Sequence, residues 1–524
     1  MDDLLLSIDC GTQSLRALIF DRDGRLLVKH KIEYEPYAPG EPGRAEQDAR
    51  LYWQALVQSC RAVAERRPDL MKAVVALGVT AQRDTMICLD EAGEPLRPAI
   101  LWLDQRKARP VYRPSLPVRA ALAVVGMDQA VLRIQEEGTC NWIMQNEPAL
   151  WEQTVAYAQV SGYLTGKLTG RFADSIASQI GHQPFDYKRQ RWARPGSLNA
   201  RLFPVPPEKL VELVAPGAVV GRVIAEVSAQ TGIPPGIPLV AAGSDKGCET
   251  LGMGVTGPGA ASLSFGTTAT IQVTTERYAE PLAFMPAYPA PIPGRFNPEV
   301  EIFRGFWMVT WFKHQFAYEE VLEARRRGIE PEAMLEELLR KTPAGAHGLV
   351  MQPYWTPMLK MPSAKGAVIG FGDVHDRAYL YRAIIEGLAY GLKEGLVAIE
   401  RSTRTKTREL AVSGGASQSD EICRIAADVF NLPLYRGETC ESSGLGAAMT
   451  SAAGVGMYSD IPAAAAAMSR RARLFEPEAD RADLYRELFE RVYKKMYRAL
   501  GPLYEEIREI TGYPERAGSS GTKE

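Results

Sequence analysis

DCGTQSLRALIFDRDG, residues 9–24, puts an acid, a cysteine and a glycine at the end of the apolar run 4–8 and follows them with hydroxyls and one arginine. The stretches 4–8, 16–20 and 26–31 have the composition of three short strands, with Asp23-Gly24 as the tight turn of a hairpin. The first turn then exposes the backbone N–H groups of Gly11, Thr12 and Gln13. Successive amides of this kind form a concavity that holds phosphate oxygens. Asp9 at the strand end would repel phosphate unless a cation lay between them, which points to magnesium held by carboxylate, water and phosphate. Arg16, inside the returning strand, must either face the phosphates or meet an acid. The plainer alternative is a hairpin with a polar turn.

The same punctuation returns far along the chain. Residues 260–265 and 268–273 read as two strands around Gly266-Thr267-Thr268. Two such turns, one in each half, can hold a nucleotide's inner and outer phosphates from opposite sides of a cleft. No G-x-x-x-x-G-K-[ST] and no protein-kinase signature set occurs, so the phosphate route is a different one. A helix over 49–66, a strand over 74–79, a long helix from 376 to about 401, a strand over 410–413 and a helix from about 417 complete the pattern. Residues 479–510 alternate charged and apolar residues at helical spacing. The simplest organisation is two α/β halves, 1–253 and 254–513, with a disordered tail over 514–524. Gly252, Gly254, Gly257 and Gly259 mark the expected hinge.

A chain of 524 residues is too long for one core. Hydrophobic residues make up 46% and charged ones 24%, ordinary values for a globular protein. A net charge of −2 supplies no basic field to attract nucleic acid or an anionic membrane, so small molecules are the expected partners. Seven cysteines without a C-x-x-C pair, and an N-terminus without a basic or long apolar segment, fit reduced thiols in the cytoplasm.

Asp245 ends the apolar run 240–242 beside Gly243 and Gly247, which let a substrate approach closely. It suits a general base; the alternative is an N-cap for a helix over 247–251. Gln82-Arg83-Asp84 and Trp102-Leu103-Asp104-Gln105-Arg106 sketch an acceptor site. A planar arginine beside a carboxylate can clamp vicinal hydroxyls, and an aromatic face packs on sugar C–H surfaces. The alternative there is a surface ion pair of Asp104 with Arg106 and a core tryptophan.

The ordered motifs resemble those of the FGGY carbohydrate kinases, members of the actin-like ATPase superfamily, over residues 3–513. D-C-G-T-Q-S-x-R is similar to the family's first phosphate motif, Phe265-Gly266-Thr267-Thr268 to its second, and Ser413-Gly414-Gly415-Ala416-Ser417 to its adenosine motif. Gly444-Leu445-Gly446-Ala447-Ala448 is similar to the small-residue helix start that follows. The resemblance implies two actin-like (ribonuclease H-like) α/β domains with mixed sheets flanked by helices, and an active site in the cleft between them. It implies ATP and Mg2+, with Asp9 and Asp245 on the metal, Thr12 on the nucleotide phosphates and Arg16 facing the transferred phosphate. Gly414, Gly415, Ala416 and Ser419 would lie toward the adenosine, and Asp245 would be the catalytic base. Gln82, Arg83, Asp84, Trp102, Asp104 and Asp245 would take a ketose or polyol, pentuloses such as xylulose or ribulose ahead of glycerol. Gln-Arg-Asp is similar to the Gln-Arg-acid of glycerol kinases and unlike the Gln-Met-His of many xylulokinases. Lys246 departs from the residue the family often has there. The resemblance also allows a homodimer. Two other readings are an actin-like ATPase without a sugar acceptor and a catalytically silent sugar-binding regulator.

Overall fold

The computed structural model describes residues 3–35, 43–116, 128–356, 361 and 363–513, so the expected tail over 514–524 lies outside the described residues. Strand β1 (Leu4–Cys10) runs antiparallel to β2 (Ser14–Phe20), which pairs with β3 (Leu26–Glu33). After helix α1 (Arg50–Arg66), β4 (Val74–Ala81) joins β1 in parallel. The antiparallel pair β5 (Val219–Arg222) and β6 (Pro238–Ser244) completes the sheet, and β6 leads directly into α2 (Asp245–Gly252). The sheet order is β5-β6-β4-β1-β2-β3.

The second sheet repeats this pattern. Strands β7 (Ala260–Phe265), β8 (Ala269–Val273) and β9 (Glu299–Ile302) form an antiparallel set. The long helix α3 (Arg377–Thr403), with Asp376 as its N-cap, leads to β10 (Glu409–Ser413), parallel to β7. Helix α4 (Asp420–Phe430), β11 (Leu434–Gly437), α5 (Ser442–Gly454) and the edge strand β12 (Arg471–Phe475) follow, giving the order β9-β8-β7-β10-β11-β12. Both sheets therefore read antiparallel, antiparallel, parallel, parallel, antiparallel from one edge to the other.

Every residue of β1 is buried, because both sheet faces are covered; this is why its sequence is an apolar run and not an alternation. Leu4, Leu6, Ile8 and Cys10 point into a core shared with Tyr52, Leu56 and Val63 of α1. Leu5 points the other way, with Leu18 and Phe20, onto Leu445, Ala448 and Met449 of α5. By sequence α5 belongs to the second half, yet it packs on β1, β4 and β6 of the first sheet.

Glycines let α5 come that close. A Cβ on Gly252 of α2 would stand 2.0 Å from Ser442 O, and one on Gly446 of α5 would stand 2.0 Å from Cys248 O. Gly252 is thus a contact residue and not the free hinge the sequence suggested. Gly254 keeps a left-handed φ of +78° and packs on Ser469, while Gly257 and Gly259 have open space around them.

Gly446→Ala should lower stability by about 1–3 kcal/mol through overpacking, whereas Gly257→Ala should be nearly neutral. Thermal unfolding of the two variants beside the wild type checks this, and equal midpoints for all three would disprove the close crossing.

Candidate active site

The C-terminal ends of β1, β4, β6 and β7 open onto a cavity of about 1980 Å3 lined by both halves of the chain. Of the expected residues, Thr12, Gln82, Arg83, Asp84, Trp102, Asp104, Asp245, Thr267 and Thr268 line it. Asp9, Gly11, Gln13, Arg16, Gly266, Gly414, Gly415, Ala416 and Ser419 do not. Gly414 turns with φ +88° against the backbone of Phe265, 2.7 Å from where its Cβ would be, so the adenosine motif packs on the second Gly-Thr turn. The Ser419 hydroxyl caps α4 by accepting the Ile422 N–H at 3.4 Å.

In the first turn the Gly11 N–H closes on Ser14 O at 2.9 Å, so this amide is spent on the hairpin itself. The Thr12 hydroxyl donates to Gln82 Oε1 at 2.8 Å and accepts from Trp102 Nε1 at 3.0 Å, tying the turn to the segments that carry Gln82 and Trp102. Arg16 meets an acid, as one of the two expectations had it. Its guanidinium lies 3.0 Å from Asp9 and 3.4 Å from Glu441, which also takes Lys29 at 2.9 Å. Burial pushes the Asp9 carboxyl up to about 6, against the pull of Arg16 and with the help of Asp245 and Glu441. Among the described residues no group of three or more His, Cys, Asp or Glu is placed to hold a metal ion by itself.

Asp245 is the first residue of α2, but Ser244 is its cap: the Ser244 hydroxyl accepts the Gly247 N–H at 3.2 Å. The Asp245 carboxylate, free of the capping duty, accepts the Lys246 N–H at 2.8 Å. Burial raises its pKa, and Arg83 and Lys246 moderate the rise. The Lys246 ammonium donates to Glu249 at 2.8 Å and to Ser264 Oγ on β7 at 2.6 Å. Glu249, in turn, accepts from the Ser264 and Ser413 hydroxyls. Lys246 is therefore the anchor of a polar network that joins α2 to β7 and β10.

Farther along the cavity, Arg83 forms a two-pronged pair with Glu299 of β9 at 2.8 and 3.3 Å and lies 5.2 Å from the Tyr288 ring centre. Asp104 is buried and not at the surface: it accepts from Arg106 at 2.7 and 2.8 Å and from the Ala45 N–H at 2.7 Å. Asp84 sits at φ +52° and receives the His182 N–H at 2.8 Å, with His182 Nδ1 2.6 Å from its other oxygen. Burial disfavours charge on His182, yet Asp84 outweighs it and lifts the imidazole to about 9. His182, Glu299, Glu301 and Glu441 were not expected from sequence. The one local signal was the pair of acids two apart in Glu299-Val300-Glu301-Ile302, which puts both on one face of a strand between apolar residues.

Two six-stranded mixed sheets of one topology thus border a single large cleft at their strand ends. Residues 4–252 match the family model of the N-terminal domain of the FGGY family of carbohydrate kinases, and residues 261–455 match that of its C-terminal domain. The chain belongs to this family and is a sugar phosphotransferase. It is 28% identical over 495 residues to the uncharacterized sugar kinase YgcE of Escherichia coli (strain K12), covering 94% of this chain and 93% of the relative. It is 23% identical over 523 residues to the xylulose kinase of Lactococcus lactis subsp. lactis (strain IL1403), covering 97% and 99%. The fold superposes on a gluconate kinase from Lactobacillus acidophilus with a TM-score of 0.80 at 19% identity, over 96% of this chain and 99% of that one. Among the described residues no helix is long and apolar enough to cross a membrane.

The Asp84 and His182 pair predicts a pH-dependent stability. His182 is raised from 6.5 to about 9, so its contribution is complete below pH 6.5 and fades as pH rises to about 9. Asp84 is lowered from 3.8, so its contribution is lost at pH below that value. Asp84→Asn should therefore cost about 2 kcal/mol near pH 6 and much less near pH 9.5, as read by denaturant titration. An equal loss at both pH values would mean the imidazole is not charged.

Proposed function

We propose that the protein transfers the terminal phosphate of ATP to a hydroxyl of a small ketose or polyol, with Asp245 as general base. The observation that carries this reading is the placement of Asp245. It sits at the first turn of α2, in the one cavity that also receives Thr12 from the first Gly-Thr turn and Thr267 and Thr268 from the second. A carboxylate whose pKa burial has raised is a better proton acceptor than an exposed one.

The chemistry asked of the protein is modest. The acceptor oxygen forms a bond to the terminal phosphorus, the bond from that phosphorus to the bridging oxygen of ATP breaks, and the hydroxyl proton passes to Asp245. The free amides of the Gly-Thr turns, with Gly266, Gly414, Gly415 and Ala416, take the nucleotide side. Arg16 offsets the negative charge gathered around Asp9. Asp9 and Asp245 would hold magnesium, which supplies charge neutralisation on the phosphates when bound. Gln82 and Trp102 fix the Thr12 hydroxyl at the boundary between nucleotide and acceptor. Arg83 and Asp84 shape the acceptor end, and Asp104 holds the loop 102–106 in place through Arg106 and Ala45. Xylulose is the acceptor favoured first, by the xylulose kinase relative, with ribulose next and glycerol after them.

Asp245→Asn should lower kcat by about 100-fold or more with little change in ATP affinity, measured by ADP release with D-xylulose, ribulose and glycerol. A variant that keeps near-normal turnover with the acceptor used would remove Asp245 from the mechanism. ATP turnover by the wild type that is indifferent to any added polyol would instead favour a plain actin-like ATPase.

A further inference from the structure

Four carboxyls gather at the acceptor end of the cleft: Asp84, Asp245, Glu299 and Glu301. Three are committed to the protein. Asp84 holds His182 through both oxygens, Glu299 holds Arg83 through both oxygens and also accepts from Gln272, and Asp245 accepts the Lys246 N–H. Glu301 receives no hydrogen bond from any described residue, although it is withdrawn from solvent and lines the cavity. It stands on β9 opposite Thr270 of β8, on the second-sheet wall. Burial, with Glu299 as its nearest like charge, pushes its carboxyl up to about 7.

A carboxyl partly removed from water without donors is destabilising until something supplies them. The two cations whose charge acts on it are engaged elsewhere, Arg83 by Glu299 and Lys246 by Glu249 and Ser264. An anionic acceptor would thus meet the Glu301 carboxylate while both of these cations are held by other acids. A hydroxyl meets it as a donor.

We propose that Glu301 is a specificity-determining residue that accepts hydrogen bonds from the hydroxyls of an uncharged ketose or polyol. It holds the acceptor from the second-sheet wall while Asp245 faces it from the first. This rests on reading the cavity as the acceptor site of a kinase.

The test measures initial rates of the full-length wild type, Glu301→Ala and Glu301→Gln with ATP and magnesium, against D-xylulose, ribulose, glycerol and gluconate. For the best neutral acceptor, Glu301→Ala should raise KM about 10-fold or more with kcat within about 3-fold and the KM for ATP unchanged. Glu301→Gln, which keeps an acceptor oxygen and the shape, should recover much of that loss and should raise the kcat/KM for gluconate relative to the neutral acceptor. Thermal midpoints near that of the wild type separate a binding loss from misfolding, and Glu301→Gln carries the test if the alanine variant does not fold. An unchanged acceptor KM in both variants, an equal rise in the KM for ATP, or a wild type that prefers gluconate overturns the proposal and leaves the kinase reading standing. A wild type that phosphorylates none of the four overturns the reading of this cavity as a site for a small ketose or polyol, and the proposal with it.

Discussion

The backbone contact between α2 and α5 is the constraint on which the site depends. Gly252 against Ser442 O, and Gly446 against Cys248 O, bring two helices together at a separation that any side chain would prevent. Helix α2 begins with Asp245, and α5 begins just after Glu441. Their crossing therefore decides how far Asp245, the proposed base, lies from Asp9, and how Glu441 reaches Arg16 and Lys29. Gly78 of β4 adds to the same packing, since a Cβ there would stand 2.7 Å from Ala447 O. The small residues of 444–448 are thus a matter of helix packing, and their effect on chemistry is exerted through the position of Asp245.

Charge in the cleft is arranged in committed pairs. Arg83 with Glu299, Lys246 with Glu249, His182 with Asp84 and Arg106 with Asp104 each place a buried or half-buried cation against a carboxylate. Buried pairs add little net stability, because desolvation offsets most of the attraction. Their geometric effect is larger: each fixes a side chain or loop that borders the cavity. Arg16 and Lys29 likewise meet Asp9 and Glu441, whereas the carboxylate of Glu301 on the opposite wall has no ion-pair partner among the described residues.

Much of the architecture was legible in the sequence because it is local. The strands around each Gly-Thr turn, the Asp23-Gly24 hairpin and the long helix after Asp376 all follow from apolar runs, turn residues and caps, and the observed bounds differ from the expected ones by a few residues. Thr12, Arg83, Trp102 and Asp245 converge on one cavity as their motifs suggested. What sequence could not give depends on pairings far apart in the chain. Arg83 and Glu299 are 216 residues apart, and nothing near Arg83 announces a partner. The sequence left an N-cap as the alternative role for Asp245, and only the geometry shows Ser244 in that place. The alternative reading of Asp104 and Arg106 as a surface ion pair fails because Trp142, 4.5 Å from the guanidinium, covers them from a distant segment.

The same long-range pairs constrain how the cleft can move. The connection from α2 to β7 has little slack, since Gly254 packs on Ser469 and Gly259 O accepts the Arg408 N–H at 2.9 Å. Backbone rotation is cheapest near Gly257, where an added Cβ would meet nothing within 4 Å. Any rotation that parts the two sheets would separate Lys246 from Ser264 and Arg83 from Glu299. Lys246 would keep Glu249, which travels on the same helix. Glu299 would lose its cation and retain only neutral donors such as Gln272, and an uncompensated buried carboxylate costs about 3–5 kcal/mol. Water entering the opened cleft reduces that cost, so the pair acts as a latch whose strength depends on how dry the acceptor end stays. If the cavity takes the acceptor as proposed, an acceptor that fills it keeps it dry, and in doing so favours the arrangement in which Asp245, Thr12 and the second Gly-Thr turn face one another.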